Sequence, residues 1–175
     1  NIQNSTFTIF MSATINSDFL STVLEIPMKD IEFIEVPSTF PKENKRVVFI
    51  NHTSYNFKTM SDENVLNDME SIILDIINSD DHSKQKGIIL TPSFKINDRL
   101  AENLTGMLIK KGKIKVFSQK EGEQLNDVLQ NFMVYDKPSI LLSPSIWEGI
   151  SLDGKISEYQ IMVKAPYGYL GDKRV

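Results

Sequence analysis

Cysteine is absent from the 175-residue chain, which excludes disulfides, thiolate zinc sites and any iron–sulfur cluster held by this segment, and fits a reducing compartment. Histidine is nearly absent too. His52 and His82 stand far apart without a partner at ligand spacing, so both read as turn or surface residues and no metal is assigned to them. No apolar run approaches the roughly 18 residues of a membrane span, and Asn1 to Thr8 is polar, unlike a secretory leader. The chain therefore reads as soluble and intracellular, cytoplasmic or nuclear, with no membrane partner. Without a leader, the Asn4, Asn51 and Asn103 matches to the glycosylation pattern are chance. Positive charge is in deficit: 19 Lys and Arg against 23 Asp and Glu leave a net charge of −4. That argues against a polybasic nucleic-acid binder, because nonspecific affinity scales with the phosphates neutralised. The short clusters Lys84 and Lys86, and Lys110, Lys111, Lys113 and Lys115, read as solvated faces.

What is present is a core-forming chain of ordinary size. A hydrophobic content of 41% is enough for one continuous core, so residues 1–175 are expected to form a single domain. Short apolar runs alternate with longer helical stretches, the pattern of an α/β fold with a mostly parallel sheet and helices on both faces. Thr6 to Met11 reads as a first strand, Ser17 to Glu25 as a short helix closed by Pro27, and Ile31 to Val36 and Arg46 to Ile50 as further extended runs. From Ser61, a plausible N-cap followed by Asp62 and Glu63, the residues Val65, Leu66, Met69, Ile72, Ile73, Ile76 and Ile77 keep helical spacing. Gly87 to Leu90 is a buried strand and Ile96 to Lys111 a helix, with Gly112 placed for its C-terminal cap. Ile114 to Phe117, Ser139 to Leu142 and Tyr159 to Lys164 read as strands, and Glu121 to Phe132 as a helix.

Three polar segments follow predicted strands and are expected on one edge of the sheet. Ser12-Ala13-Thr14 offers two small hydroxyl residues able to trade hydrogen bonds with neighbouring loops, although Ser and Thr are also common before helices. Thr91-Pro92-Ser93-Phe94 places the Ser93 hydroxyl and following amides where a phosphate could bind, while Phe94 is the type of residue that usually enters a core. Pro144-Ser145-Ile146-Trp147-Glu148-Gly149-Ile150-Ser151-Leu152-Asp153-Gly154 contains the only tryptophan. Gly149, directly after a carboxylate, would let backbone amides approach a phosphate closely. A lone Trp otherwise anchors a core.

Taken in order, these segments resemble the second motor lobe, a RecA-like domain, of XPD/DinG-type superfamily-two DNA helicases. The closing strand Gln160-Ile161-Met162-Val163-Lys164-Ala165-Pro166-Tyr167, with its Pro-aromatic end, is similar to that family as well. The resemblance implies that Ser12, Ala13 and Thr14 couple nucleotide hydrolysis to strand movement. Ser93, Phe94, Ser145 and Trp147 would lie at single-stranded DNA, and Glu148, Gly149 and Asp153 at the nucleotide, with Glu148 the catalytic contribution. Two departures stand out: Ser151 occupies the position where the family carries Asp directly after the Ile, and the Pro before Gly154 is missing. There is no Gly-x-x-x-x-Gly-Lys-[Ser/Thr] loop and no Asp-Glu pair after a strand, so ATP and Mg2+ would be bound mainly by a separate ATP-binding lobe of the same protein. The family's downstream Gly-Arg motif is missing too, so the chain reads as a fragment that would not hydrolyse ATP alone. Two other readings stay open on the residues: a non-catalytic RecA-like interaction or nucleic-acid-binding module, and a small α/β hydrolase or nucleotide transferase, for which a nucleophile–base pair would be needed.

Overall fold

The computed structural model describes residues 7–12, 17–39, 41, 46–50, 59–111, 114–146, 150, 152 and 154–165. The chain divides into two compact units, Asn1–Phe49 with Gly168–Val175, and Ile50–Tyr167.

In the first unit, helix α1 (Ser17–Leu24) is followed by a single 3-10 turn, Met28–Asp30. Leu24 is followed by Glu25 at φ 54°, left-handed backbone that reverses the chain, and the Ser21 hydroxyl donates to the Ile26 carbonyl at 2.8 Å. Of the strand expected at Thr6 to Met11, the described residues Phe7 to Met11 form no strand, and neither do Ile31 to Val36 or Arg46 to Ile50. β-Branched composition favours an extended chain but a strand needs a neighbour to take its N–H and C=O groups. Phe7, Met11, Val36, Val47 and Phe49 are accordingly exposed, from 71% to 90%.

Among its described residues the second unit has four strands: β1 (Lys86–Leu90), β2 (Lys115–Ser118), β3 (Ser139–Ser143) and β4 (Tyr159–Met162), all parallel in the order β2-β3-β1-β4. Lys86 pairs with Ser139 and Leu90 with Ser143; Gly87 faces Tyr159; Lys115 also faces Ser139. The crossovers are helices α3 (Phe94–Lys111) between β1 and β2 and α4 (Leu125–Val134) between β2 and β3, preceded in the chain by α2 (Glu63–Asn78). Because side chains alternate along a strand, Ile89, Ile140 and Leu142 meet α2 and α3 through Leu66, Ile73, Ile77, Leu100 and Leu104 on one face. On the other, Ile88, Leu90 and Leu141 meet α4 through Val128, Leu129 and Phe132. This is the expected α/β, RecA-like architecture: a parallel sheet covered on both faces, with each fully buried Leu or Ile contributing about 1.5–3 kcal/mol.

Several helix ends are set by details that periodicity does not carry. Asp62, not Ser61, caps α2, its carboxylate accepting from the Asn64 and Val65 amides at 2.9 and 3.5 Å. Helix α4 begins at Leu125, not Glu121, because Lys120 to Glu123 closes a turn with Gly122 at φ 82° and the Lys120 amide donating to the Glu123 carboxylate at 2.9 Å. At the opposite end of α4, buried Lys86 reaches from the start of β1 to donate to the carbonyls of Phe132, Met133 and Tyr135. A cation there completes the C-terminal turn and meets the negative end of the helix dipole. Desolvation holds the Lys86 ammonium below its ordinary pKa, with Asp136 opposing that shift.

Candidate nucleic-acid interface

In parallel α/β sheets the loops at the carboxyl ends of the strands form the binding edge. Here the loops after β1, β2 and β3 leave that edge side by side, because β3 lies between β1 and β2. The ladder continues one residue past the strands: the Thr91 amide donates to the Ser143 carbonyl at 3.3 Å, and the Gln119 amide to the Leu142 carbonyl at 3.1 Å.

Beneath these loops lies a buried polar cluster. Thr91, Asn97 and Ser143 are fully buried and Gln119 nearly so. The Asn97 Nδ2 donates to the Ser118 hydroxyl and the Gln119 carbonyl, both at 2.9 Å. A carbonyl can only accept, so the orientation of the Asn97 amide is determined, and the Thr91 hydroxyl must donate to Asn97 Oδ1, at 3.0 Å. By the same logic Gln119 Nε2 donates to the Glu123 carbonyl at 3.0 Å, leaving Gln119 Oε1 to accept from the Ser143 hydroxyl at 2.6 Å. The Ser143 hydroxyl in turn accepts from the Ser145 amide at 2.9 Å.

Of the residues expected at DNA, Ser93 and Phe94 sit at the entry of α3 and Ser145 follows β3, so the sheet brings these two loops onto adjacent strands. Ser93 acts as a helix cap: its hydroxyl oxygen accepts from the Ile96 amide at 3.4 Å and its carbonyl from the Asn97 amide at 2.9 Å. Its hydroxyl proton has no acceptor among the described residues. Phe94 is half-buried and Ser145 exposed. Ser12 is an exposed residue of the first unit, and no strand of the described sheet leads to it. Ala13, Thr14, Trp147, Glu148, Gly149 and Asp153, expected at the site from sequence, lie outside the described residues. Among the described residues there is no group of three His, Asp or Glu placed to hold a metal ion, and no helix is long and apolar enough to cross a membrane.

Sequence reasoning passed over Asn97, Gln119 and Ser143. Asn97 carried a usable signal: it stands in the first turn of α3 at helical spacing from Leu100, Leu104 and Leu108, so a polar amide interrupts the apolar face. Ser143 directly follows an apolar run and Gln119 comes one residue after one, behind Ser118, where nothing in the local pattern distinguishes a buried polar residue from a loop residue.

A parallel sheet covered on both faces, with polar loops gathered at its carboxyl edge, defines a RecA-like α/β domain. Residues 76–175 match the family described as the helicase C-terminal domain. The match covers more than half of the 175-residue chain and spans all four strands, and the chain belongs to that family, as the resemblance to the second motor lobe of XPD/DinG-type helicases implied. It is a helicase motor lobe, a domain class that works on nucleic acid. Neither the curated proteins nor the solved structures contain a significant match to the chain.

Proposed function

We propose that this lobe grips the sugar-phosphate backbone of single-stranded DNA with the loops after β1 and β3, as one of two grips in an ATP-dependent helicase. The observation that supports this most directly is that Ser93 and Ser145 lie in the loops that follow two adjacent parallel strands, β1 and β3, at the edge where α3 begins. Phosphate oxygens accept hydrogen bonds from hydroxyls and helix-entry amides without reading sequence, which suits a motor that must pass along any strand. An overall negative chain can bind this way because the donors are local. Trp147, in the segment that follows Ser145, would add a surface on which bases stack.

On the nucleotide side, Glu148, Gly149 and Asp153 would face ATP and Mg2+ held mainly by the ATP-binding lobe of the same protein. Ser12, Ala13 and Thr14 would couple the two events. Closure over ATP and reopening after hydrolysis then shift one grip relative to the other. The chemistry supplied by Mg2+ is neutralisation of charge on the transferred phosphate. This chain's contribution is to hold the strand and present the Glu148 carboxylate.

The test is made in the intact helicase with fluorescent oligothymidylate. Replacing Ser93 and Ser145 together with Ala should weaken single-strand affinity about a hundredfold, the loss of two hydrogen bonds to charged oxygen at about 1.5 kcal/mol each. Glu148→Ala should lower DNA-stimulated ATP turnover. Unchanged affinity in the double variant would remove the grip; unchanged turnover in Glu148→Ala would remove the nucleotide contact.

A further inference from the structure

We infer that Asn97 and Gln119 are positioning residues that hold the Ser93 and Ser145 loops at a fixed spacing, an inference that rests on reading those loops as the DNA grip. Neither amide faces solvent. The two form an unbroken relay between the loops. From the Ser93 side, the Ser93 carbonyl accepts from the Asn97 amide at 2.9 Å, and the Asn97 side chain donates to the Gln119 carbonyl at 2.9 Å. From the Ser145 side, the Ser145 amide donates to the Ser143 hydroxyl at 2.9 Å, and that hydroxyl donates to Gln119 Oε1 at 2.6 Å. Gln119 is therefore the junction: its main chain is tied to the β1 loop and its side chain to the β3 loop.

The choice of polar residues is informative because it is not needed for stability. A cluster replaced on all sides by apolar groups of the same shape can be as stable, and the layers just below are aliphatic on both faces of the sheet. Apolar contact is non-directional and leaves a loop's height above the sheet loosely specified. Hydrogen bonds in a low-dielectric interior fix both distance and direction, and each bond polarises the next. The side-chain donors and acceptors that make up this relay are all used: both Asn97 Nδ2 protons, Asn97 Oδ1, and both ends of the Gln119 amide. Such a relay keeps two phosphate contacts in register while a motor lobe moves as a body.

A binding cycle on oligothymidylate in the intact helicase separates positioning from simple support. Gln119→Ala should weaken affinity about five- to tenfold in folded protein, since it removes the side-chain tie to the Ser145 loop while the residue 119 carbonyl still holds Asn97. In the Ser93→Ala, Ser145→Ala background the same change should add less than about twofold, because the contacts it would misplace are gone. Ser143→Ala, a smaller excision that breaks only the Ser145 arm, serves if Gln119→Ala does not fold, and should show the same dependence on Ser145. A purely supporting role would lower the melting temperature while leaving affinity unchanged, or would multiply independently with the Ser93 and Ser145 changes; either result overturns the positioning role. If the Ser93→Ala, Ser145→Ala variant itself binds normally, the DNA grip fails and the positioning role falls with it. If that variant binds weakly while Gln119→Ala and Ser143→Ala bind normally, only the positioning role is lost.

Discussion

Replacing Gly87 with Ala should destabilise the sheet for a steric reason alone. Gly87 and Tyr159 are cross-strand partners on β1 and β4, and the phenol ring lies directly over the glycine. A Cβ built on Gly87 would sit 2.2 Å from Tyr159 Cζ, 2.4 Å from Cε2 and 2.6 Å from Cε1. Ordinary carbon–carbon contact is about 3.5–4.0 Å, so the ring must retreat by more than an atomic radius. It is held in place by stacking on His82, with centroids 4.4 Å apart and planes 27° apart. Overpacking of this kind costs about 1–3 kcal/mol. Two effects act against it: Ala restricts the unfolded chain more than Gly does, worth about 0.4–1 kcal/mol, and a displaced ring would hydrate the Tyr159 hydroxyl, which is buried without a partner among the described residues. The net expectation is a loss of about 1–2 kcal/mol, or a fall of several degrees in melting temperature for a domain of this size. Thermal and urea unfolding of the full chain, followed by circular dichroism, would measure it. Adding Tyr159→Ala should abolish the penalty of Gly87→Ala. A neutral or stabilising Gly87→Ala, or a penalty unchanged by removing the ring, would refute the steric account.

Tyr159→Phe should raise stability by about 1 kcal/mol by removing a buried unsatisfied hydroxyl. Burial also pushes the Tyr159 phenol from 10.0 up to about 12. Because the neutral form is favoured in the folded state, that stabilisation is present in full below pH 10 and is lost between about pH 10 and 12. The Phe variant should lack this part of the alkaline decline in a pH series of urea midpoints, and an identical decline would contradict the assignment. Arg99→Ala should cost about 3 kcal/mol in urea unfolding, because Glu70, only 5% exposed, loses its 2.6 Å partner. The Glu70→Gln, Arg99→Ala pair should recover part of it, since Asn103 still reaches residue 70, and a neutral Arg99→Ala would show that the pairing is idle. Lys86→Met should cost about 2 kcal/mol in the same assay by leaving the carbonyls that end α4 without their cation; a change confined to a few tenths would make that cap dispensable. Trp147→Ala should weaken oligothymidylate binding more than it lowers the melting temperature, whereas a mainly thermal loss would make Trp147 a core residue.

Helix α2 shows how far local pattern reaches. The spacing of Leu66, Ile73 and Ile77 was legible because one face of a 3.6-residue period recurs within a few turns, and those residues are buried as a set. The same spacing said nothing of Glu70, which shares that buried face because Arg99 and Asn103, on α3, reach it. β1 and β3 were likewise legible as short continuous apolar runs, since strands covered on both faces carry no alternation to hide them. The runs at Thr6 to Met11, Ile31 to Val36 and Arg46 to Ile50 have similar composition and form no strand among the described residues. Composition measures willingness to extend, while a strand exists only where another segment supplies the ladder.

The candidate site divides along the same line. The segments at Ser93 and Ser145 were visible as polar residues after apolar runs, and the order of motifs was enough to point to a helicase C-terminal domain. That they lie on adjacent strands depends on the order β2-β3-β1-β4, and that Asn97, Gln119 and Ser143 join them depends on side chains brought together from three separate parts of the chain. Sequence by itself determined helix α2 and the buried runs of β1 and β3, because helical spacing and continuous apolar runs are local properties of neighbouring residues. Only the tertiary structure decided the pairing, the caps and the buried relay, because a hydrogen bond between Asn97 and Gln119 requires the whole β1-α3-β2 crossover to bring them within 2.9 Å.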